Sequence, residues 1–184
     1  MKFLKYNILG LVFTALFLIS CDNYPSLQQY YVNSKENNEF IAVDIPSSIL
    51  QLKDAEISEE QQQILNTIKK VNFLALQLKP GENEEFYNAE KAKVKEILKN
   101  PKFKQLARMN MGKGNFSVNY LGEEDAIDEV ILFGTDKEKG FALVRILGND
   151  MKPEDIMKLV GELKLDGNSP GMQQIGDIFG NLSK

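Results

Sequence analysis

The chain has 184 residues, 43% apolar and 26% charged, with 22 basic and 26 acidic side chains, one cysteine, no histidine and no tryptophan. Without histidine there is no imidazole general base and no serine-histidine or cysteine-histidine pair, and nearly all zinc sites are excluded, because each needs a nitrogen that titrates or ligates near neutral pH; a single cysteine excludes a disulfide framework. A net charge of -4 and a pI near 5.1 give no electrostatic reason to bind nucleic acid, whose recognition is dominated by neutralising phosphates.

Lys2 and Lys5 precede an uncharged apolar run over residues 8–19, the n-region and h-region of an export signal. A helix of about twelve residues rises roughly 18 Å, well short of the ~30 Å hydrocarbon core that a spanning helix must cross. Leu18-Ile19-Ser20-Cys21 resembles a bacterial lipobox: a branched apolar residue, a tolerant position, a small residue, then cysteine. That resemblance implies cleavage between Ser20 and Cys21 and acylation of the Cys21 thiol, making residues 1–20 a signal peptide. Two or three acyl chains hold a protein to a membrane, where one does so only marginally. Losing residues 1–20 leaves 20 basic against 26 acidic side chains, a net charge of -6. Anionic lipid repels an acidic body, so membrane contact is expected only through the acyl chains on Cys21.

Residues 21–38, rich in Asn, Ser and Gln, read as a lipidated tether with a short helix. Its Leu27, Tyr30 and Tyr31 recur at helical spacing, and the tyrosines are expected to dock on the protein's own core, with a partner as the alternative. Residues 40–46 read as an edge strand closed by Pro46, and Ser47 or Ser48 as the cap of a brief helix through Ile49, Leu50 and Leu52. Ser58 and Gln61 form a capping box. Ile64, Leu65, Ile68 and Val71 give the helix one face, and Lys69 and Lys70 close its last turn. Residues 72–78 are an apolar run of strand length, taken as a central strand and stopped by Pro80-Gly81.

Residues 84–99 return to helical spacing, with Tyr87, Val94, Ile97 and Leu98 inward and Glu90, Lys91, Lys93, Lys95 and Glu96 mostly outward. Asn100-Pro101 predicts the start of a further helical turn or two through Phe103, Leu106 and Met109. Strands follow at 116–121, 127–133 and 141–147, joined by hairpin-length connections into an antiparallel meander. Val118, Tyr120, Val130, Leu132, Ala142, Val144 and Ile146 share one face of it. A helix begins near Pro153, with Ile156, Leu159, Val160 and Leu163 inward; residues 166–171 are a loop, and Met172, Ile175, Phe179 and Leu182 suggest an amphipathic tail helix. Residues 39–165 thus read as one α+β domain. The expected architecture is a two-layer sandwich with a mainly antiparallel sheet of four to five strands and helices on one face.

Glu123, Glu124, Asp125, Asp128 and Glu129 put five carboxylates in seven residues but lack the alternating acids and central glycine of a calcium loop, so they read as a solvated turn protecting a sheet edge. Gly112-Lys113-Gly114 resembles a phosphate-binding loop only in its glycines, because a strand follows and no Ser or Thr succeeds the lysine. Arg145 lies mid-strand between Val144 and Ile146; if it points inward, Asp128 or Glu129 is its natural partner. No catalytic residue, metal ligand or cofactor site is nominated. The site assignments are lipidation at Cys21 and cleavage between Ser20 and Cys21.

Residues 40–50, 68–78, 126–130 and 140–148, with Pro153-Glu154-Asp155-Ile156, resemble a family of Bacteroidetes lipoproteins known as the domain of unknown function 4252. Its signature is a strand ending in glycine, a short acidic linker and an amphipathic helix, and the likeness spans most of residues 22–165. The resemblance implies an envelope lipoprotein and carries no activity, substrate or catalytic residue. Surface-exported lipoproteins of such bacteria carry lysine and acids after the cysteine. Asp22-Asn23-Tyr24-Pro25-Ser26 does not match, which favours the periplasmic face of the outer membrane. The functional expectation is a non-enzymatic module that binds an envelope protein through its sheet or its Tyr30/Tyr31 region. A small-ligand or lipid-binding lipoprotein is the alternative, and a carboxylate-dependent hydrolase the third.

Overall fold

In residues 40–46, Phe40, Ala42 and Asp44 alternate with Ile41, Val43 and Ile45, so an extended chain there presents mostly apolar side chains on both sides. The same holds along residues 68–77 and 140–151, and strands of that kind need cover on two faces. The computed structural model describes residues 24–50, 58–110 and 112–162. In chain order the elements are α1 (Leu27–Lys35), β1 (Phe40–Pro46), α2 (Ser47–Leu50), α3 (Glu59–Thr67), β2 (Ile68–Gln77), α4 (Glu84–Ile97), β3 (Lys104–Asn110), β4 (Gly114–Glu123), β5 (Ala126–Asp136), β6 (Gly140–Met151) and α5 (Pro153–Glu162). The strands form one six-stranded sheet in the order β1-β2-β6-β5-β4-β3, with every neighbouring pair antiparallel.

Register defines the two faces. On the first, Phe40, Leu76 and Phe141 align, as do Ala42, Leu74, Leu143 and Phe133. These side chains pack with Leu27, Tyr30 and Tyr31 of α1 and Tyr87, Val94 and Ile97 of α4. Phe40, Phe133 and Tyr87 each place their ring about 6 Å from that of Phe141 (6.3, 5.8 and 5.9 Å). On the second face the aligned rows are Ile45-Val71-Ile146-Val130-Tyr120 and Val43-Phe73-Val144-Leu132-Val118. Leu65 of α3 and Ile156 of α5 join this second cluster. The expected alternation of Val118, Tyr120, Val130, Leu132, Ala142, Val144 and Ile146 is therefore present in the register.

Four sequence expectations change. The sheet has six strands rather than four to five, because residues 104–110 are a strand and not helical turns. Asn100 does turn the chain, its side chain accepting the Lys102 N–H at 3.0 Å. The free edge of β4 then takes up the segment, with Lys104 opposite Tyr120 and Met109 opposite Phe116. Likewise the helix opened by the Ser58/Gln61 capping box ends at Thr67 instead of running through Lys70. Residues 68–71 are extended because they hydrogen-bond between two strands, Val71 lying opposite both Ile45 and Ile146. Helices contribute to both apolar clusters, α1 and α4 to one and α3 and α5 to the other, rather than to one face alone. Finally, Glu90, expected among the outward residues, is buried and pairs with Lys93 at 2.5 Å. The tail expected over residues 166–184 lies outside the described residues.

Gly140 opens β6 at φ 124°, and a Cβ there would collide with the Leu76 carbonyl oxygen and the Leu78 nitrogen of the neighbouring chain segment. Gly140→Ala is expected to cost about 2–3 kcal/mol or more, read as a lowered midpoint in chemical denaturation. A midpoint unchanged from wild type would contradict this register.

Candidate functional site

Three strands carry a polar residue at the same inward position. Asp44 follows Phe40 and Ala42, Asn72 precedes Leu74 and Leu76, and Arg145 follows Phe141 and Leu143. Pairing sets them side by side in the order Asp44-Asn72-Arg145 on the first face. Over this row lies α1, started by Ser26, whose hydroxyl accepts the Gln29 N–H at 3.3 Å. Leu27, Tyr30, Tyr31 and Ser34 form the buried side of α1, and its Gln28, Tyr31 and Lys35 meet the polar row.

Arg145 is 8% exposed and Glu129 7%. The guanidinium makes a two-pronged contact with the carboxylate, Nε to Oε1 at 2.5 Å and Nη2 to Oε2 at 2.8 Å, and its Nη1 donates to the Gln28 side-chain carbonyl. Asp44 accepts from the Tyr31 hydroxyl at 2.6 Å, from Lys35 at 2.7 Å and from the Asn72 amide, and Lys70 lies 3.6 Å away. Burial opposes ionisation of Asp44. The hydrogen bonds from Lys35, Tyr31 and Asn72 and the charge of Lys70 outweigh it, holding the carboxyl far below its usual range. Burial and the Asp44 bond push the Tyr31 phenol up. Around this row is a depression of about 490 Å³ lined by Gln28, Tyr31, Lys35, Lys70, Asn72 and Leu147, among others.

The expected site residues fall as follows. Ser20 and Cys21 lie outside the described residues. Arg145 points inward to Glu129, one of its two expected partners, while Asp128 is exposed. The acidic run therefore splits: Glu123 at the end of β4 and Glu124 and Asp125 in the turn to β5 stay exposed. Among the described residues no group of three or more His, Cys, Asp or Glu side chains is placed to hold a metal ion. Gly112-Lys113-Gly114 joins β3 to β4, with Lys113 reaching Glu138 at 2.8 Å. Tyr30 and Tyr31 are 8% and 5% exposed, docked on the protein's own core as expected. Their burial leaves little of either tyrosine side chain for a partner to touch, while Val32 beside them is exposed. Asp44, Asn72, Gln28 and Lys35 were not singled out from the sequence, although a polar residue in phase with inward apolar neighbours on β1 and β2 was a readable signal.

Chemically, the row is a set of charges that satisfy one another and clamp a helix to a sheet. The fold and this site define a small α+β domain built on one antiparallel sheet. The chain belongs to the family described as domain of unknown function (DUF4252), whose model matches residues 30–159. That match begins within α1 and ends within α5, and so takes in every strand. No curated protein and no solved structure matches the chain.

Removing one partner of a buried ion pair costs more than the pair contributes, because the other charge stays desolvated. Arg145→Met is expected to destabilise the domain by about 3–5 kcal/mol, and Arg145→Met combined with Glu129→Leu to recover most of that loss. Denaturant melts of both variants check this; equal losses would mean that the pair is not coupled. Asp44 contributes stability that is complete above its unfolded value near 4 and is lost as pH falls toward its lowered folded value. Asp44→Asn should therefore flatten the stability-pH curve below about pH 4 relative to wild type, measured by melts across that range.

Proposed function

We propose that the chain is a lipid-anchored protein of the cell envelope, cleaved before Cys21 and facing the periplasm from the outer membrane, that works by binding another envelope protein and not by catalysis. The observation that carries this reading is an asymmetry between the two faces of the sheet. On the first, Arg145, Glu129, Asp44 and Asn72 are committed to one another and to α1, which leaves that cluster no uncommitted acid-base pair. The second face is apolar from β1 to β3, with Ile41, Val43, Val71, Val144 and Ala107 only half-buried and Met109 39% exposed near the β3 edge. In this reading the part of the second face that is left half-buried beside α3 and α5 receives the partner. Apolar surface of this kind is what protein interfaces remove from water.

The anchor supports the same reading. Leu27, where α1 begins, is six residues after Cys21, a span of at most about 22 Å. An acyl group on Cys21 would therefore hold the sheet close to the membrane through the Gln28 and Tyr31 contacts of α1. Among the described residues no helix is long and apolar enough to cross a membrane. A small-ligand reading draws on the depression beside Asp44 and Arg145, whose volume of about 490 Å³ is within the usual range of ligand pockets. Gln28, Tyr31, Lys35, Asp44, Lys70, Asn72 and Arg145 of its lining are already paired, and native mass spectrometry of the purified protein is expected to find no retained ligand.

Cys21→Ser is expected to abolish labelling by a palmitate analogue in cells and to release the protein from the membrane fraction; labelling equal to wild type would remove the anchor. A photo-crosslinking residue at Met109 is expected to give one discrete adduct in intact cells, and the same residue at Glu85 on the exposed side of α4 none. Identical patterns at the two positions would remove the second face as the binding surface.

A further inference from the structure

The two edges of the sheet are not alike. At the β1 edge Pro46 has no N–H, and the Val43 carbonyl accepts the Tyr31 hydroxyl at 3.3 Å. At the other edge β3 pairs with β4 alone, and among the described residues no strand lies beyond it. Its seven residues hold no proline, and five of them are exposed. The backbone N–H and C=O groups on the outer side of such a strand are a template for a further one. Register also fixes what that strand would meet. Ala107 and Met109 lie opposite Val118 and Phe116 on the second face, whereas Arg108 lies opposite Ser117 on the first.

Charge selects the occupant. From Lys99 to Lys113 the chain has five basic residues and no acidic one, although the whole chain has more acids than bases. Lys99 and Lys113 are drawn to Glu96 and Glu138, at 2.7 and 2.8 Å. Lys104, on β3, lies 3.8 Å from the exposed Glu123 and 5.7 Å over the Tyr120 ring. Arg108 is exposed and has no ion pair among the described residues. Charge at an edge and the irregular step between Gln105 and Ala107 also hinder indiscriminate pairing, but charge of either sign would do that. A strand that carries only cations refuses a basic partner and a second copy of itself, because like charges on adjacent strands repel, and accepts an acidic one.

We propose that the partner protein adds an extended acidic segment to β3 as a further strand, with carboxylates beside Arg108 on the first face and alternate apolar side chains prolonging the second face past Ala107 and Met109. Backbone hydrogen bonds hold such a segment, and its alternate side chains select it. This rests on the second face being the surface that receives the partner, and the test separates the two. Amide hydrogen exchange of the mature protein is followed with an excess of a short peptide of alternating Glu and Val, and with its Lys-Val counterpart. The Glu-Val peptide is expected to slow exchange in residues 104–110 and not in residues 40–46, and the Lys-Val peptide to leave both unchanged. Arg108→Glu should weaken the Glu-Val peptide about five-fold with the melting temperature unchanged, and Arg108→Lys should keep the effect. In intact cells Arg108→Glu should cut the adduct formed from Met109 by a similar factor. No protection, or equal protection by both peptides, overturns the proposal, as does a concentration-dependent dimer that protects residues 104–110 without peptide, which would give the edge to a second copy. A Met109 adduct undiminished by Arg108→Glu removes the acidic strand and leaves the second face as the binding surface. Absence of any Met109 adduct with Arg108 in place removes that surface, and the added strand with it.

Discussion

The buried contact between Arg145 and Glu129 constrains more of this molecule than any other pair. Its two charges sit on β6 and β5 at the first face of a sheet whose second face is centred on an apolar cluster. Side chains alternate between faces with a period of two, so a slip of one residue between these strands would carry Arg145 among Val130 and Leu132 with no carboxylate. An unpaired buried charge costs several kcal/mol, which is enough to penalise the wrong register across the centre of the sheet. Neighbouring strands inherit that register: Asn72 lies opposite Arg145, and Asp44 opposite Asn72.

The same row governs how α1 is held. A helix of nine residues is marginal alone, and it gains its place by burying Leu27, Tyr30 and Tyr31 while Gln28, Tyr31 and Lys35 bond to the polar row. Packing thus fixes where the helix lies, and hydrogen bonds fix its rotation. Two buried side-chain groups have no hydrogen-bond partner among the described residues, the Tyr30 hydroxyl and the Asn119 side-chain carbonyl; burial and the charge of Glu90 push the Tyr30 phenol up.

Charge is distributed unevenly for reasons that net charge hides. The chain is acidic as a whole, yet its carboxylates gather in exposed turns and in the first turns of α3, α4 and α5, where they suit the positive helix end. Lysines collect along the second half of α4. A count of ionisable residues does not contain this distribution.

Local information was enough for much of the fold. Alternation and turn residues placed β1, β4, β5 and β6, the capping box placed the start of α3, and helical spacing placed α4 and the inward tyrosines of α1, because each signal lies within a few residues of chain. The lipobox is equally local, so the proposed anchor at Cys21 is a statement about sequence. What local patterns did not carry was decided by pairing at a distance. The free edge of β4 turned residues 104–110 into a sixth strand, and β1 and β6 drew residues 68–71 out of a helix, since backbone groups beside an open strand are better satisfied in the ladder than in a marginal last turn. The polar row belongs to the same class: Asp44, Asn72 and Arg145 are separated by 28 and 73 positions in the chain. The sequence by itself determined most of the extended and helical segments, because their signals are local. Only the tertiary structure decided that three strands and a helix bring their polar residues together, because a buried charge finds its partner in space and not along the chain.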